Sequence, residues 1–277
     1  MSVGEAGAAE EATRIAAAIR ESVITQSKRA NVGHIGSSLS IADMLGVLYA
    51  GPLASVDPTD PDRPRFVLSK GHAALALYGA LWATGRLTGD QLDSFCGDGT
   101  ELVGHPESTL ADVDFSTGSL GQGLPMACGA ALAGHLKGSA RRVYALLSDA
   151  EMNEGSVWEA AMFAAHHRLS NLVALVDVNG QQALGYTRDV IDLEPLGDRW
   201  RSFGWNVHDV SGHDVTALGA ALQASADGVS DRPNVILART TFGKGVDFME
   251  RRIEWHYLPM SDDEYALASQ QVVRARG

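Results

Sequence analysis

Asp149 and Asn179 stand 30 positions apart, each at the end of a run of apolar residues. A carboxylate and an amide oxygen are hard donors. With a nearby backbone carbonyl they make an oxygen set suited to Mg2+ or Ca2+. A diphosphate would add two further oxygens, and a water would complete the shell. The helix expected to start near Gly155 would aim free N–H groups at such an anion. An Asp or Asn just past a strand is also an ordinary turn former, so the pair alone leaves both readings open.

The surrounding pattern says how the two residues would meet. Residues 143–147 and 172–178 are nearly continuous apolar runs, as parallel strands covered on both faces would be. Residues 156–168, between them, read as a helix. Ligands of open parallel sheets bind beyond the carboxyl ends of the strands. If the two strands are neighbours, Asp149 and Asn179 share one rim. Elsewhere the spacing predicts a helix over 10–29, with Glu10 and Glu11 at its start and Lys28 and Arg29 at its end, as the helix dipole favours. A second helix is expected over 40–49 with Ser40 as its cap, then prolines 52, 58, 61 and 64 mark a loop. Further expectations are a strand over 65–68, a buried helix over 73–82, turns over 98–114 and a small-residue helix over 124–136. A strand over 235–238 leads into a glycine-rich loop, 241–245. Strands alternating with helices predict an α/β fold, a doubly wound, mostly parallel sheet flanked by helices. The reading is one domain over 1–277, with the tail from 246 packing on the rim of the site.

Composition narrows the function. The chain has 277 residues and a net charge of −12, which argues against a nucleic-acid partner but not against an anionic ligand. Cys96 and Cys128 are far apart and form no CxxC, so a reduced, cytoplasmic setting is expected. The acidic start lacks the blocks of a signal peptide. The most apolar long stretch, 121–136, is broken by Gln122, Pro125 and His135 and is too short to span a bilayer. No membrane partner is expected.

Several segments together resemble the transketolases. They are "GHIGSSLS" (33–40), "RFVLSKGHAALALYGAL" (65–81), "GHPE" (104–107), "STGSLGQGL" (116–124), "EGSVWEAAMFAAHHRLSNLVALVDVNG" (154–180) and "WHYLPMSDDEY" (255–265). They occur in the family's order and cover nearly the whole chain. Asp149 and Asn179 fall on that family's thiamine-diphosphate motif. The resemblance implies a diphosphate-binding (PP-type) domain, and the chain's length resembles the N-terminal subunit of a split transketolase. It implies that Asp149 and Asn179 ligate Mg2+ through side chains and Gln181 through its backbone carbonyl, with Ca2+ or Mn2+ able to substitute. It places Gly118, Ser119 and Leu120 along the cofactor, and Ala150 and Glu151 at the diphosphate. His34, His72, His105 and His256 would surround the reactive carbon and the sugar hydroxyls, His72 and His256 nearer the cofactor. Imidazole suits proton traffic near neutral pH.

A glutamate against the aminopyrimidine ring comes from a pyrimidine-binding domain in that family. The resemblance therefore implies a partner, the C-terminal transketolase subunit, in an α2β2 assembly. The reaction expected is ketol transfer from a ketose to an aldose. Other thiamine enzymes are the near alternatives: a dihydroxyacetone synthase, a 1-deoxyxylulose-phosphate synthase or a 2-oxo-acid dehydrogenase subunit. A non-catalytic subunit with a degenerate site is the alternative from another class. It rests on Ala150 alone; Ser148 and Ala150 replace the motif's two glycines, and Ser, still small, is the mild change. If position 150 needs positive φ, Ala there should cost about 1 kcal/mol or more. His213 is read as a turn residue. Lys244 is read as a loop lysine able to reach an anion.

Overall fold

The computed structural model describes residues 3–57, 59–228 and 230–274. Pro58 and the last residues of the expected tail, 275–277, lie outside them. In chain order the elements are α1 (Val3–Ala30), α2 (Ile35–Ser40), α3 (Ala42–Ala50), β1 (Arg65–Leu68), α4 (Ala74–Ala83), α5 (Gly89–Asp93) and α6 (Gly123–Leu136). The unit β2 (Val143–Ser148), α7 (Gly155–His166), β3 (Leu172–Val178) follows. A hairpin, β4 (Gln181–Gln182) and β5 (Gly185–Tyr186), precedes α8 (Thr187–Val190), α9 (Leu196–Ser202) and β6 (Asn206–Ser211). The remaining elements are α10 (Val215–Ala226), β7 (Asn234–Arg239) and α11 (Asp262–Arg274).

Five strands form one parallel sheet in the order β1-β2-β3-β7-β6. Successive side chains of a strand point to opposite faces, and here both faces are apolar. Tyr144, Leu146, Val173, Leu175 and Ile236 enter the core beneath α1, α3, α4 and α10. Val143, Ala145, Leu147, Ala174 and Val176 enter the second core, beneath α6 and α7. That double burial is why β2 and β3 read as unbroken apolar runs. The parallel, doubly covered sheet agrees with the expected fold class.

The helices follow their apolar spacing. In α1 a buried stripe of Ala12, Ile15, Ala16, Ile19 and Val23 packs on α3 and α4. Every residue of α4 from Ala74 to Leu81 is buried, so it shows no polar face. The helix expected over 40–49 is α3, which starts at Ala42; Ile41, with φ −97° and ψ 3°, separates it from α2. Ser40 is not a cap. It closes α2 and its hydroxyl turns inward to Asp177. After β7 the chain returns to the carboxyl edge of the sheet, where the backbone N–H of His34 donates to the carbonyl of His256 at 3.2 Å. Then α11 runs along α1, with Lys28 Nζ 2.6 Å from Asp262 Oδ1. Among the described residues no helix is long and apolar enough to cross a membrane. Cys96 and Cys128 are free thiols.

Close approach of α6 to β1 depends on Gly123. A Cβ there would stand 2.4 Å from Ser69 Cβ and 2.6 Å from its Cα. Gly129, on the exposed side of the same helix, has nothing within 4 Å. Gly123→Ala should therefore destabilise the chain by at least about 2 kcal/mol. Gly129→Ala should leave stability unchanged or raise it by about 1 kcal/mol. Urea unfolding midpoints of the two variants check this contrast, and equal midpoints would contradict it.

Candidate active site

The carboxyl ends of β1, β2, β3 and β7 gather the polar residues of the sheet. Register pairs Ser148 of β2 with Asp177 of β3, which brings the residues that follow them to one edge. The carboxylate of Asp149 is buried. Its Oδ1 accepts from the N–H of Ala150 at 2.9 Å and its Oδ2 from the N–H of Gly180 at 2.7 Å. Gly180 makes this turn with φ 76°. Asn179 Nδ2 donates to Asp177 Oδ2 at 2.8 Å, and its Oδ1 accepts from the N–H of Gln181 at 2.9 Å. Each oxygen of Asp149, and Oδ1 of Asn179, so keeps lone-pair capacity for a further partner.

Beneath them lies a buried ion pair. Lys70 Nζ, just past β1, reaches over β2 to Asp177 Oδ2 at 2.6 Å, with the two side chains 1% and 0% exposed. Asp177 also accepts from Ser40, at 2.7 Å, and from Thr240 after β7. Burial works against the Asp177 carboxylate. The Lys70 charge, together with hydrogen bonds from Lys70, Thr240 and Ser40, outweighs it and holds the pKa below its ordinary value. Asp149 forms no ion pair with a Lys or Arg among the described residues. Burial, and then the charge of Asp177, pushes its carboxyl up to about 7, against the donors Gly180 and Ala150 and the more distant charge of Lys70. A bound divalent cation would restore its ionised form. The residues thus fit a hard divalent ion.

Glu151 is buried and faces inward. It accepts from Ser69 Oγ at 2.5 Å and from the N–H groups of Gly121 and Ser148, both at 2.9 Å. Its carboxylate braces the loop from within. Ala150 lies in the short 3-10 turn Ala150–Asn153 and is not among the residues with positive φ. The expected backbone cost of Ala at that position does not arise.

Three imidazoles converge beside this edge. The ring centroids are 5.0 Å apart for His34–His72, 5.1 Å for His34–His256 and 5.6 Å for His72–His256. His34 precedes α2 in the left-handed region (φ 58°, ψ 22°). This backbone is uncommon for a residue with a Cβ. Gly33 allows the approach, since a Cβ there would stand 2.4 Å from the carbonyl oxygen of Tyr257. His72 sits in the turn after β1 and His256 in the turn Ile253–His256. Burial lowers the pKa of His34, aided by His105 and Lys70, and lowers that of His72 strongly. Burial, then His34 and Lys70, brings His256 down to about 4. The shift in each of the three rings favours the uncharged form, and Nδ1 of His34 and of His256 is buried without a hydrogen-bond partner among the described residues.

The loop bearing Gly118, Ser119 and Leu120 passes close by. A Cβ at Gly71 would be 2.9 Å from Thr117 backbone and 3.0 Å from Gly118 N. A Cβ at Gly118 would lie 3.4 Å from the ring of His105. Gln181 Nε2 donates to the carbonyl of Arg251 at 3.2 Å, which ties the hairpin to the returning chain. His213 is elsewhere. Its Nδ1 bonds Asp43 Oδ2 at 2.8 Å and its Nε2 accepts from the N–H of Thr241 at 2.8 Å. Lys244 pairs with Glu250 at 3.3 Å. His135, His166 and His167 are exposed. A separate hollow of about 420 Å³ opens at the amino ends of the strands, lined by Arg142, Asn206 and Asn234. The Arg142 guanidinium there is engaged by the carbonyls of Ser225 and Ala226.

Lys70 and Asp177 belong to this edge, yet neither is among the residues that the sequence pattern singles out. Their signal is an aspartate inside a buried apolar run, which demands a cation.

Comparison with known proteins concerns the chain as a whole. The family model described as "Transketolase, thiamine diphosphate binding domain" matches residues 11–273. The chain is 39% identical over 254 residues to the 6-deoxy-6-sulfo-D-fructose transketolase subunit SqwG of Clostridium sp. strain MSTE9, covering 90% of this chain and 92% of that protein. It is 36% identical over 268 residues to an apulose-4-phosphate transketolase subunit from Actinobacillus succinogenes, covering 95% and 96%. The crystal structure of transketolase from Campylobacter jejuni superposes with a TM-score of 0.86 at 30% identity, over 95% of this chain but only 42% of that one. The chain belongs to the transketolase family, as a member of its thiamine-diphosphate-binding domain.

Proposed function

We propose that the chain is the cofactor-holding subunit of a two-chain transketolase. With Mg2+, thiamine diphosphate and a pyrimidine-domain partner, it moves a two-carbon ketol unit from a ketose to an aldose. One observation carries the reading: a buried carboxyl with no Lys or Arg ion pair among the described residues, Asp149, stands at a strand tip beside the amide of Asn179. Asp149 and Asn179 would hold the ion through side-chain oxygens and Gln181 through its backbone carbonyl. Ca2+ or Mn2+ meets the same donors. Gly118, Ser119 and Leu120 would line the cofactor, and Ala150 would lie at the diphosphate. The 3-10 conformation of Ala150, without positive φ, supports a working site over a degenerate one.

Bound thiamine diphosphate supplies the electron sink that lets a carbon–carbon bond beside a carbonyl break. The chain's own work is binding and proton handling. An uncharged imidazole donates at one nitrogen and accepts at the other. His34, His72, His105 and His256 would take protons from sugar hydroxyls and return them, and hold the substrate oxygens in place. Burial around the first two and His256 strengthens each such contact.

Support for a partner comes from the rim. Leu184, Ile191, Tyr257 and Leu258 are exposed, and Leu184 is 80% exposed. Tyr257 Oη donates to the carbonyl of Ala183, so the hairpin and the returning chain present these side chains together. The partner would bring the acidic residue that meets the pyrimidine ring, in an α2β2 assembly working in the cytoplasm. The relatives named for 6-deoxy-6-sulfo-D-fructose and apulose-4-phosphate favour a specialised ketose as donor.

The chain purified alone should show no ketol transfer. Addition of the pyrimidine-domain chain should give consumption of donor ketose and acceptor aldose in equal amounts. Turnover without a partner would contradict the two-chain reading. The second expectation concerns pH. Metal binding must displace the proton that the raised pKa keeps on Asp149 below about 7. Calorimetric affinity for Mg2+ with cofactor should therefore rise by about tenfold per pH unit up to about 7 and then level off. Asp149→Asn has no such proton. It should bind at least about a hundredfold more weakly, with that part of the pH slope removed. An Asp149→Asn variant with wild-type affinity and slope would exclude this carboxylate as a ligand.

A further inference from the structure

The imidazole cluster has a geometry that proton handling alone does not require. One ligand nitrogen from each of His34, His72 and His256 lies within 4.8 Å of the others. A zinc ion sits about 2.0–2.1 Å from an imidazole nitrogen in tetrahedral geometry. The ring centre lies about 1 Å further along the same line. Three rings on one tetrahedral ion therefore have centroids about 5 Å apart. The observed separations are 5.0, 5.1 and 5.6 Å. The nitrogens, within 4.8 Å of one another, must close to about 3.4 Å on a tetrahedral ion, which rotation of the rings would supply.

Nδ1 of His34 and of His256 is buried with no hydrogen-bond partner among the described residues. Three nitrogens with an open fourth position form the ligand set of an accessible zinc centre.

We propose that His34, His72 and His256 form a second metal site, made of nitrogen donors, that takes zinc or a similar borderline-soft divalent ion. It is separate from the oxygen donors of Asp149 and Asn179. Ligand softness sorts the two: imidazoles favour zinc, copper and nickel, whereas carboxylate and amide oxygens favour Mg2+ and Ca2+. An ion on the triad ties up the nitrogens that would otherwise meet a sugar, so its occupancy inhibits ketol transfer. Two features limit affinity. Lys70 places a positive charge near all three rings. None of the three donates its other nitrogen to a carboxylate within the described residues, the contact that strengthens many zinc sites. The site is therefore a reversible trap and not a permanent structural centre.

The test reads metal binding directly and does not depend on ketol transfer. The chain is titrated with Zn2+ by calorimetry in excess Mg2+, and separately with Co2+, whose visible absorption intensifies in tetrahedral coordination. One equivalent should bind, with intensified Co2+ absorption. His72→Gln and His256→Gln, each checked by circular dichroism for native fold, should each weaken binding by at least about tenfold. Asp149→Ala should retain it, as should the double exchange of the exposed pair His166→Gln and His167→Gln on α7. The proposal is overturned if the triad variants bind as tightly as wild type. It is equally overturned if Asp149→Ala or the α7 exchange removes the binding. A wild-type chain that binds Zn2+ on the triad but takes up no Mg2+ and thiamine diphosphate would sink the transketolase reading and leave this one standing.

Discussion

Lys70 and Asp177 meet at 2.6 Å in a region closed to water, and the carboxyl edge of the sheet is built around that contact. Taking both charges out of water costs several kcal/mol, which their attraction and further hydrogen bonds must offset. Ser40, Asn179 and Thr240 supply those bonds from α2, from the turn after β3 and from the end of β7. Three separate chain segments are so fixed to one carboxylate. Removing either partner leaves a lone buried charge, which costs about 3–5 kcal/mol in comparable pairs. Asp149 is the remainder of this arrangement. Lys70 already pairs with Asp177, so the second carboxyl is neutralised only by a proton or a metal ion. The edge is stable as a fold and incomplete as a charge distribution, a condition that a divalent cation would relieve.

The histidines follow from backbone geometry. His34 is held in the left-handed region by its N–H bond to His256, and Gly33 lets the returning chain come close. The aromatic ring of Phe242 packs against His256 with an interplanar angle of 14°. Gly36 has no room for a Cβ, because one would fall 2.0 Å from Phe242 Cε1. The segment 242–257 thus seats itself on the start of α2 and delivers His256 between His34 and His72. A local strain at His34, of the kind that clusters at functional sites, positions a ring that no regular helix or strand would place there.

Much of this is legible from the letters. The strands β2 and β3 are buried on both faces, so their apolar runs need no alternation to be recognised. The β2–α7–β3 unit then puts Asp149 and Asn179 on neighbouring tips by topology alone. The strand β6 escapes a sequence reading because it is the sheet's edge and carries a polar mixture, Asn206, His208 and Asp209 among it. The break at Ile41 is hidden because Ser40 has the residue type of a cap, yet a tertiary contact with Asp177 claims its hydroxyl. Residue type likewise misleads at Ala150, where the motif's glycine suggests positive φ and the backbone is helical. The orientation of the Glu151 carboxylate is set by Ser69 and Gly121, which are distant in sequence. Lys70 carries no local sign of its partner, since the pair spans 107 positions and crosses a strand.

The central claim is that one divalent ion bridges the tips of β2 and β3. Crystals of the chain grown with Mn2+ and thiamine diphosphate test it through anomalous scattering at the manganese edge. The account predicts a single strong peak in contact with Asp149 and Asn179 side-chain oxygens and the Gln181 carbonyl. With both ligands bound elsewhere, and those two side chains turned to separate surroundings, the account would be contradicted.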